Sequence, residues 1–102
     1  MWKQTEINLG RIPTKKPVTV EFKYIGDGVF KSATASCGCT TPKWDIEANS
    51  IVAIYTPKAV PTHLAMQGEK EYLSTKYINV DMLENGIHKP YTLTIEAKVF
   101  EV

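Results

Sequence analysis

Cysteine is scarce in this chain, and so are long apolar runs, basic clusters and helical patterning. Among 102 residues only Cys37 and Cys39 are cysteines. A disulfide framework needs more of them, further apart. The bridge of antibody domains joins strands distant in sequence, with a tryptophan between, and that pattern is missing. No stretch approaches the roughly 18 apolar residues of a membrane-spanning helix, so no membrane insertion is expected. Met1 to Glu6 carries no apolar h-region. The expectation is a protein that stays in the cell making it, leaves by lysis, or has lost a leader. Twelve Lys and Arg nearly balance eleven Asp and Glu, for a net charge of +1. Nucleic-acid binding asks for a basic stripe, yet the densest basic run, Arg11 to Lys16, is broken by Ile12, Pro13 and Thr14. No nucleic-acid partner is expected.

What is present fits one folded domain over residues 1–102. Hydrophobic residues make up 43% of the chain, an ordinary share for a globular domain. Their dominant period is two, the signature of half-buried strands. Thr5 to Leu9 reads as a first strand ended by Gly10. Val18, Val20, Phe22 and Tyr24 alternate with Thr19, Glu21 and Lys23. Gly26-Asp27-Gly28 is a turn in which two glycines permit positive φ. Val29 to Cys37 is a third strand with Ala33, Ala35 and Cys37 on one face, and Cys37 to Pro42 is its tight exit. Trp44 covers an edge of the core. Ile51 to Thr56 is apolar on both parities. Ser74 to Met82 places Ile78, Val80 and Met82 inward, and Asn85-Gly86 is a hairpin turn signal. Tyr91 to Val99 is the last strand. Pro57 to Leu73 has no clean period and reads as a long loop of the kind that carries function. With no crossover helices the sheets should be mainly antiparallel. The expected fold is an all-β, immunoglobulin-like sandwich of about seven strands.

The string Ala35-Ser36-Cys37-Gly38-Cys39-Thr40-Thr41-Pro42 resembles the hallmark of a group of small bacterial and phage domains of unassigned function, relatives of the Hydin-type immunoglobulin-like domains. Gly10, Phe22, Gly28, Tyr55-Thr56-Pro57 and Ile78-Asn79-Val80 fall in register with that group, and the likeness covers nearly the whole chain. The resemblance implies the sandwich fold. It also implies a likeness to the free-standing copies in tailed phages of marine bacteria, which are taken as virion structural proteins. The long Pro57 to Leu73 segment departs from the group's short connection.

Three features bear on chemistry. In an extended strand Cys37 and Cys39 would share a face, about 6.6 Å apart between Cα atoms, near the upper end for a bridge. The pair is a candidate redox or thiol site, or a soft-metal site. Zinc would need two more ligands, and His63 and His88, the only histidines, sit at no recognised spacing. The simplest expectation is two reduced, metal-free thiols closing the end of the core. A catalytic reading finds little. Ser36 has no nucleophile-elbow context, Asp45 and Glu47 resemble solvated strand-end carboxylates, and Lys43 alone does little to activate a thiol. No enzyme activity and no cofactor are expected.

The third feature is a surface. If Ile51, Ala53 and Tyr55 face the core, Val52 and Ile54 face out, either covered by the long loop through Leu64 and Met66 or awaiting a partner. His63, Leu64 and Met66 extend the candidate interaction surface into that loop. An open sandwich edge is a further route, by accepting a strand from another chain. The expected role is a non-enzymatic structural or interaction module, with a protein partner in a larger assembly such as a virion. It would be located in the virion or host cytoplasm. The alternatives are a thiol- or metal-handling protein, or a periplasmic or extracellular binding domain whose leader was removed.

Overall fold

A computed structural model describes residues 1–101. Seven strands and one helical turn follow in the order β1 (Glu6–Pro13), β2 (Val18–Lys23), β3 (Val29–Ala35), β4 (Thr40–Asp45), β5 (Ser50–Tyr55), α1 (Thr62–Ala65), β6 (Glu71–Glu84) and β7 (Ile87–Phe100). They form a four-stranded sheet, β1-β7-β6-β3, and a three-stranded sheet, β2-β5-β4. Among the described residues only the β1–β7 pair is parallel. The second, fifth and fourth strands pair on one side and the third, sixth and seventh on the other. That is an immunoglobulin-like sandwich with its first strand carried on the β7 edge.

Alternation builds the core. Val20, Phe22 and Tyr24 meet Ile51, Ala53 and Tyr55 from one sheet, and Ile78, Val80, Met82, Leu93, Ile95 and Val99 from the other, all buried. Trp2 packs edge-on against Tyr24 and Tyr91, with ring centroids 5.1 and 6.0 Å away. Trp44, half-buried, stacks on Phe30 at 5.1 Å.

Several boundaries differ from the sequence expectation. Gly10 does not end the first strand. It takes φ 70° inside a register break between Asn8 and Arg11, and β1 runs on to Pro13. A glycine in this conformation is what a bulge needs. The third strand stops at Ala35, and a break between Phe30 and Ser32 lets Phe30 and Ala33, of opposite parity, both pack on the core. The expectation of no helix is corrected by α1, and the supposed loop to Leu73 ends where β6 begins at Glu71. β7 starts at Ile87, not Tyr91. Asn85 (φ 52°) and Gly86 (φ 77°) supply the paired positive φ of a tight hairpin, so the ladder extends past the core through polar residues that carry no periodic signal. Pro90 is tolerated there because β1 pairs with β7 only from Thr94 onward, leaving β7 locally an edge. Two strands of 14 residues, about 47 Å each when extended, account for a molecule measuring 52 × 21 × 18 Å.

Candidate functional site

The Cys-Gly-Cys segment lies in the four-residue link Ser36 to Cys39, which carries the chain from β3 in one sheet to β4 in the other. Its start is fixed by Ser36, whose N–H donates to the Tyr77 carbonyl (2.8 Å) and whose Oγ accepts from the Tyr77 N–H (3.0 Å). Its end is fixed by the Thr56 N–H donating to the Cys39 carbonyl (2.8 Å). Between these anchors the chain turns, and the Cα atoms of Cys37 and Cys39 come within 5.3 Å, inside the usual range for a bridge. The two sulfurs are joined in a disulfide, and no free cysteine occurs among the described residues. This corrects the expectation of two reduced thiols closing the end of the core. Both cysteines are half-buried, not sealed in the core.

Beside the bridge an open depression is lined by Cys39, Tyr55, Lys58, Pro61, Tyr72 and Lys76. The Tyr72 hydroxyl donates to the Lys58 carbonyl (2.7 Å), tying the crossover after β5 to β6. Partial burial raises the Tyr72 pKa above its ordinary value. Tyr55 and Ser74 share a buried hydroxyl–hydroxyl hydrogen bond of 2.6 Å beneath the depression. Two lysines therefore border the rim on which Cys39 lies.

Metal chemistry fares differently. Sulfurs bonded to each other offer no thiolate pair. His88 is engaged by Asp81 at 2.8 Å, and His63 lies in α1. Among the described residues no group of three or more His, Cys, Asp or Glu is gathered.

Val52 and Ile54 do point outward from β5. Cross-strand register sets Thr19, Ile54 and Thr41 in one row and Glu21, Val52 and Lys43 in the next. Ile54 is 48% exposed, and Ile46, which borders the same shallow depression as Val52 and Lys43, is 81% exposed. The result is an apolar strip with a polar margin along the outer face of the three-stranded sheet. The loop does not bury Ile54 through Met66, which is itself 83% exposed. His63 and Leu64 belong to α1 and Met66 is its C-cap, in the crossover to the other sheet. The two halves of the expected surface thus belong to different parts of the sandwich.

A third cluster was invisible in sequence. Glu84 accepts hydrogen bonds from the hydroxyls of Tyr24 and Tyr91, the latter at 2.9 Å to each oxygen. These bonds, Tyr24 first, hold the Glu84 carboxyl below its ordinary pKa. Burial, then the Glu84 bond, push Tyr24 up to about 12. Gly28 is needed there for its missing side chain: an added Cβ would strike the Tyr24 hydroxyl and lie 3.0 Å from the Glu84 Cγ. Gly26 alone in that turn takes positive φ, 136°. No local pattern links residues 24, 28, 84 and 91, because strand pairing and the meeting of the sheets bring them together.

Topology and site together define a β-sandwich of immunoglobulin-like type with a bridged Cys-Gly-Cys corner. Residues 1–99 match the sequence model of a family described as a protein of unknown function, DUF1573, and the chain belongs to that family. No curated protein sequence matches it. Among solved structures it is similar to an endo-fucoidan hydrolase from glycoside hydrolase family 107, with 13% sequence identity and a TM-score of 0.55. All of this chain is covered but only 14% of that one. The likeness is one of fold, and the chain spans about a seventh of that enzyme's length.

Proposed function

We propose that the protein is a non-enzymatic interaction module of the Hydin-type immunoglobulin-like class. It attaches to a larger assembly through the outer face of its three-stranded sheet, as an accessory structural protein of a tailed-phage particle. The observation that carries the reading is the strip of exposed Ile46 and Ile54 with half-buried Val52, flanked by Thr19, Thr41, Glu21 and Lys43. An apolar centre with a polar rim is the usual anatomy of a protein interface. The recurrence of this fold as a small part of a longer chain is in keeping with modular use. The virion assignment rests on the resemblance to the phage members of that group, and not on the Cys-Gly-Cys-Thr string, which the whole group shares. A formed disulfide suits a particle that leaves the cell, or the periplasm, better than a reducing cytoplasm.

The test is the double variant Val52→Glu, Ile54→Lys. Circular dichroism and thermal unfolding should match the wild type, since neither side chain belongs to the core. Mass spectrometry of purified phage particles should find the wild-type protein and not the variant. Equal incorporation of both rejects the outer face as the attachment surface, and absence of the wild type from particles rejects the virion role.

The disulfide itself favours a second reading, reversible thiol–disulfide exchange. A dithiol reductant's thiolate attacks one cysteine sulfur and releases the other as a thiolate. The reductant's second thiol then resolves the mixed disulfide, leaving two protein thiols and an oxidised reductant. Lys58 and Lys76 border the depression where the thiolate would form. Intact mass after alkylation, across a series of dithiothreitol ratios, should show interconversion at ratios that leave buried structural bridges closed. A bridge that stays closed throughout rejects this reading.

A further inference from the structure

A sheet edge exposes unpaired N–H and C=O groups and so templates another strand. Proteins blunt such edges with bulges, prolines and charges. Here the edges are β1 and β3 in one sheet and β2 and β4 in the other. β1 is broken between Asn8 and Arg11 and ends in Pro13, and β3 is broken between Phe30 and Ser32. β4 carries Pro42 and Lys43 at its middle. β2 carries the exposed charges Glu21 and Lys23 but has neither proline nor bulge, and all six of its residues keep unbroken register with β5.

The direction of its backbone groups follows from its far end. The Tyr24 N–H donates to the Asn49 carbonyl (2.9 Å), on the β5 side. The Lys23 carbonyl accepts from the Lys3 N–H (2.9 Å), and the Ile25 N–H donates to the Met1 carbonyl (2.6 Å), on the opposite side. Backbone groups alternate sides along a strand, so those of Thr19 and Glu21 point with Lys23, away from β5. Met1 to Lys3 is thus a short antiparallel strand already seated on this edge. Trp2 bridges Tyr24 there, and its ring is anchored against Tyr24 and Tyr91. The chain then departs: the Thr5 carbonyl accepts from the Thr94 N–H (2.7 Å) in the other sheet. The edge accepts a strand at its far end, and over Val18 to Phe22 none is supplied among the described residues.

We propose that Val18 to Phe22 receives an extended segment of about five residues from a protein partner, by strand addition. The segment runs antiparallel to β2, in line with Met1 to Lys3. Its outward side chains join the rows Thr41–Ile54–Thr19 and Lys43–Val52–Glu21. The residue opposite Glu21 is therefore basic, and the one opposite Thr19 is β-branched. A second copy of this chain fits less well. Setting Thr19 against the copy's Glu21 brings the copy's Pro17 to the place beside Lys23 that Lys3 occupies. This site uses edge backbone and not the outer-face strip, so either can fail without the other.

The probe is the peptide acetyl-Val-Arg-Val-Thr-Val-amide, added to the full chain labelled for amide hydrogen exchange by NMR. Thr19 and Glu21 amides should exchange freely in the protein alone and slow by at least about tenfold with saturating peptide. Amides already protected in dilute protein, or unchanged at saturating peptide, overturn the proposal. Protection that instead rises with protein concentration alone assigns the edge to a second copy and also overturns it. Glu21→Pro removes a free-edge donor without touching a bond to β5. It should weaken peptide binding at least about tenfold, and unchanged binding refutes the site. Should that variant fail to fold, the peptide N-methylated at its arginine tests the same pairing on wild-type protein, with the same loss expected.

Discussion

Replacing Gly28 by alanine tests whether the Tyr24–Glu84–Tyr91 cluster locks the two sheets at the hairpin end. Gly28 does not use positive φ, so alanine fits the backbone and any loss comes from its methyl group. That methyl collides with the Tyr24 hydroxyl and sits 3.0 Å from both the Tyr24 Cζ and the Glu84 Cγ. Tyr24 is 2% exposed and packed beneath Trp2, so its ring has little room to retreat. Overpacking of this kind costs about 1–3 kcal/mol, and loss of the tyrosine's hydrogen bond adds about 1 kcal/mol. The expected total is about 2–4 kcal/mol, a fall in Tm of roughly 10–20 °C for a domain this size. Urea unfolding followed by circular dichroism should show a lower midpoint at unchanged slope. The decisive control is Tyr24→Phe, which deletes the atom that is struck. In that background Gly28→Ala should cost less than about 1 kcal/mol, a coupling of at least about 1 kcal/mol. Additive losses would show that the methyl does its damage elsewhere and refute the reasoning.

Two other outcomes follow from the same geometry. Glu84 has its pKa depressed in the fold, so its contribution is complete above the ordinary carboxylate value and is lost as pH falls through the folded value. Tyr24 is raised from 10.0 to about 12, so its contribution is complete below pH 10 and is lost as pH climbs from 10 towards 12. In urea titrations across pH, Glu84→Gln should flatten the acid limb and Tyr24→Phe the alkaline limb, and unchanged limbs would reject the linkage. The Cys37–Cys39 bridge closes a loop with a sequence separation of 2. By the chain-entropy relation such a loop is worth about 1.5 kcal/mol, so Cys37→Ala, Cys39→Ala should still fold, and a loss above about 3 kcal/mol in urea unfolding would contradict that view.

The sequence by itself determined the class of fold and most of the core. Period-two alternation set Val20 and Phe22 on one face of their strand and named Ile78, Val80 and Met82 as inward, because a strand must hide one face and side chains can only alternate. Asn85-Gly86 fixed the hairpin, since positive φ at both positions is a local property. The outward aim of Val52 and Ile54 was legible only on condition that Ile51, Ala53 and Tyr55 face the core, since that segment is apolar on both parities. Local signals reached no further at Gly10 and Lys31, where bulges reset the parity, nor at His88 to Pro90, where backbone pairing carries a strand beyond the core. Only the tertiary structure decided the rest. Cys37 and Cys39 come within bridging distance because two anchored strands, one in each sheet, force a turn between them. Glu84 finds Tyr24 and Tyr91 because strand pairing and sheet stacking converge there. β2 is left as the open edge because the chain leaves it after Met1 to Lys3 and joins the other sheet as β1. Each of these depends on which strands become neighbours, and hydrophobic periodicity records the face a residue shows, not the partner it meets.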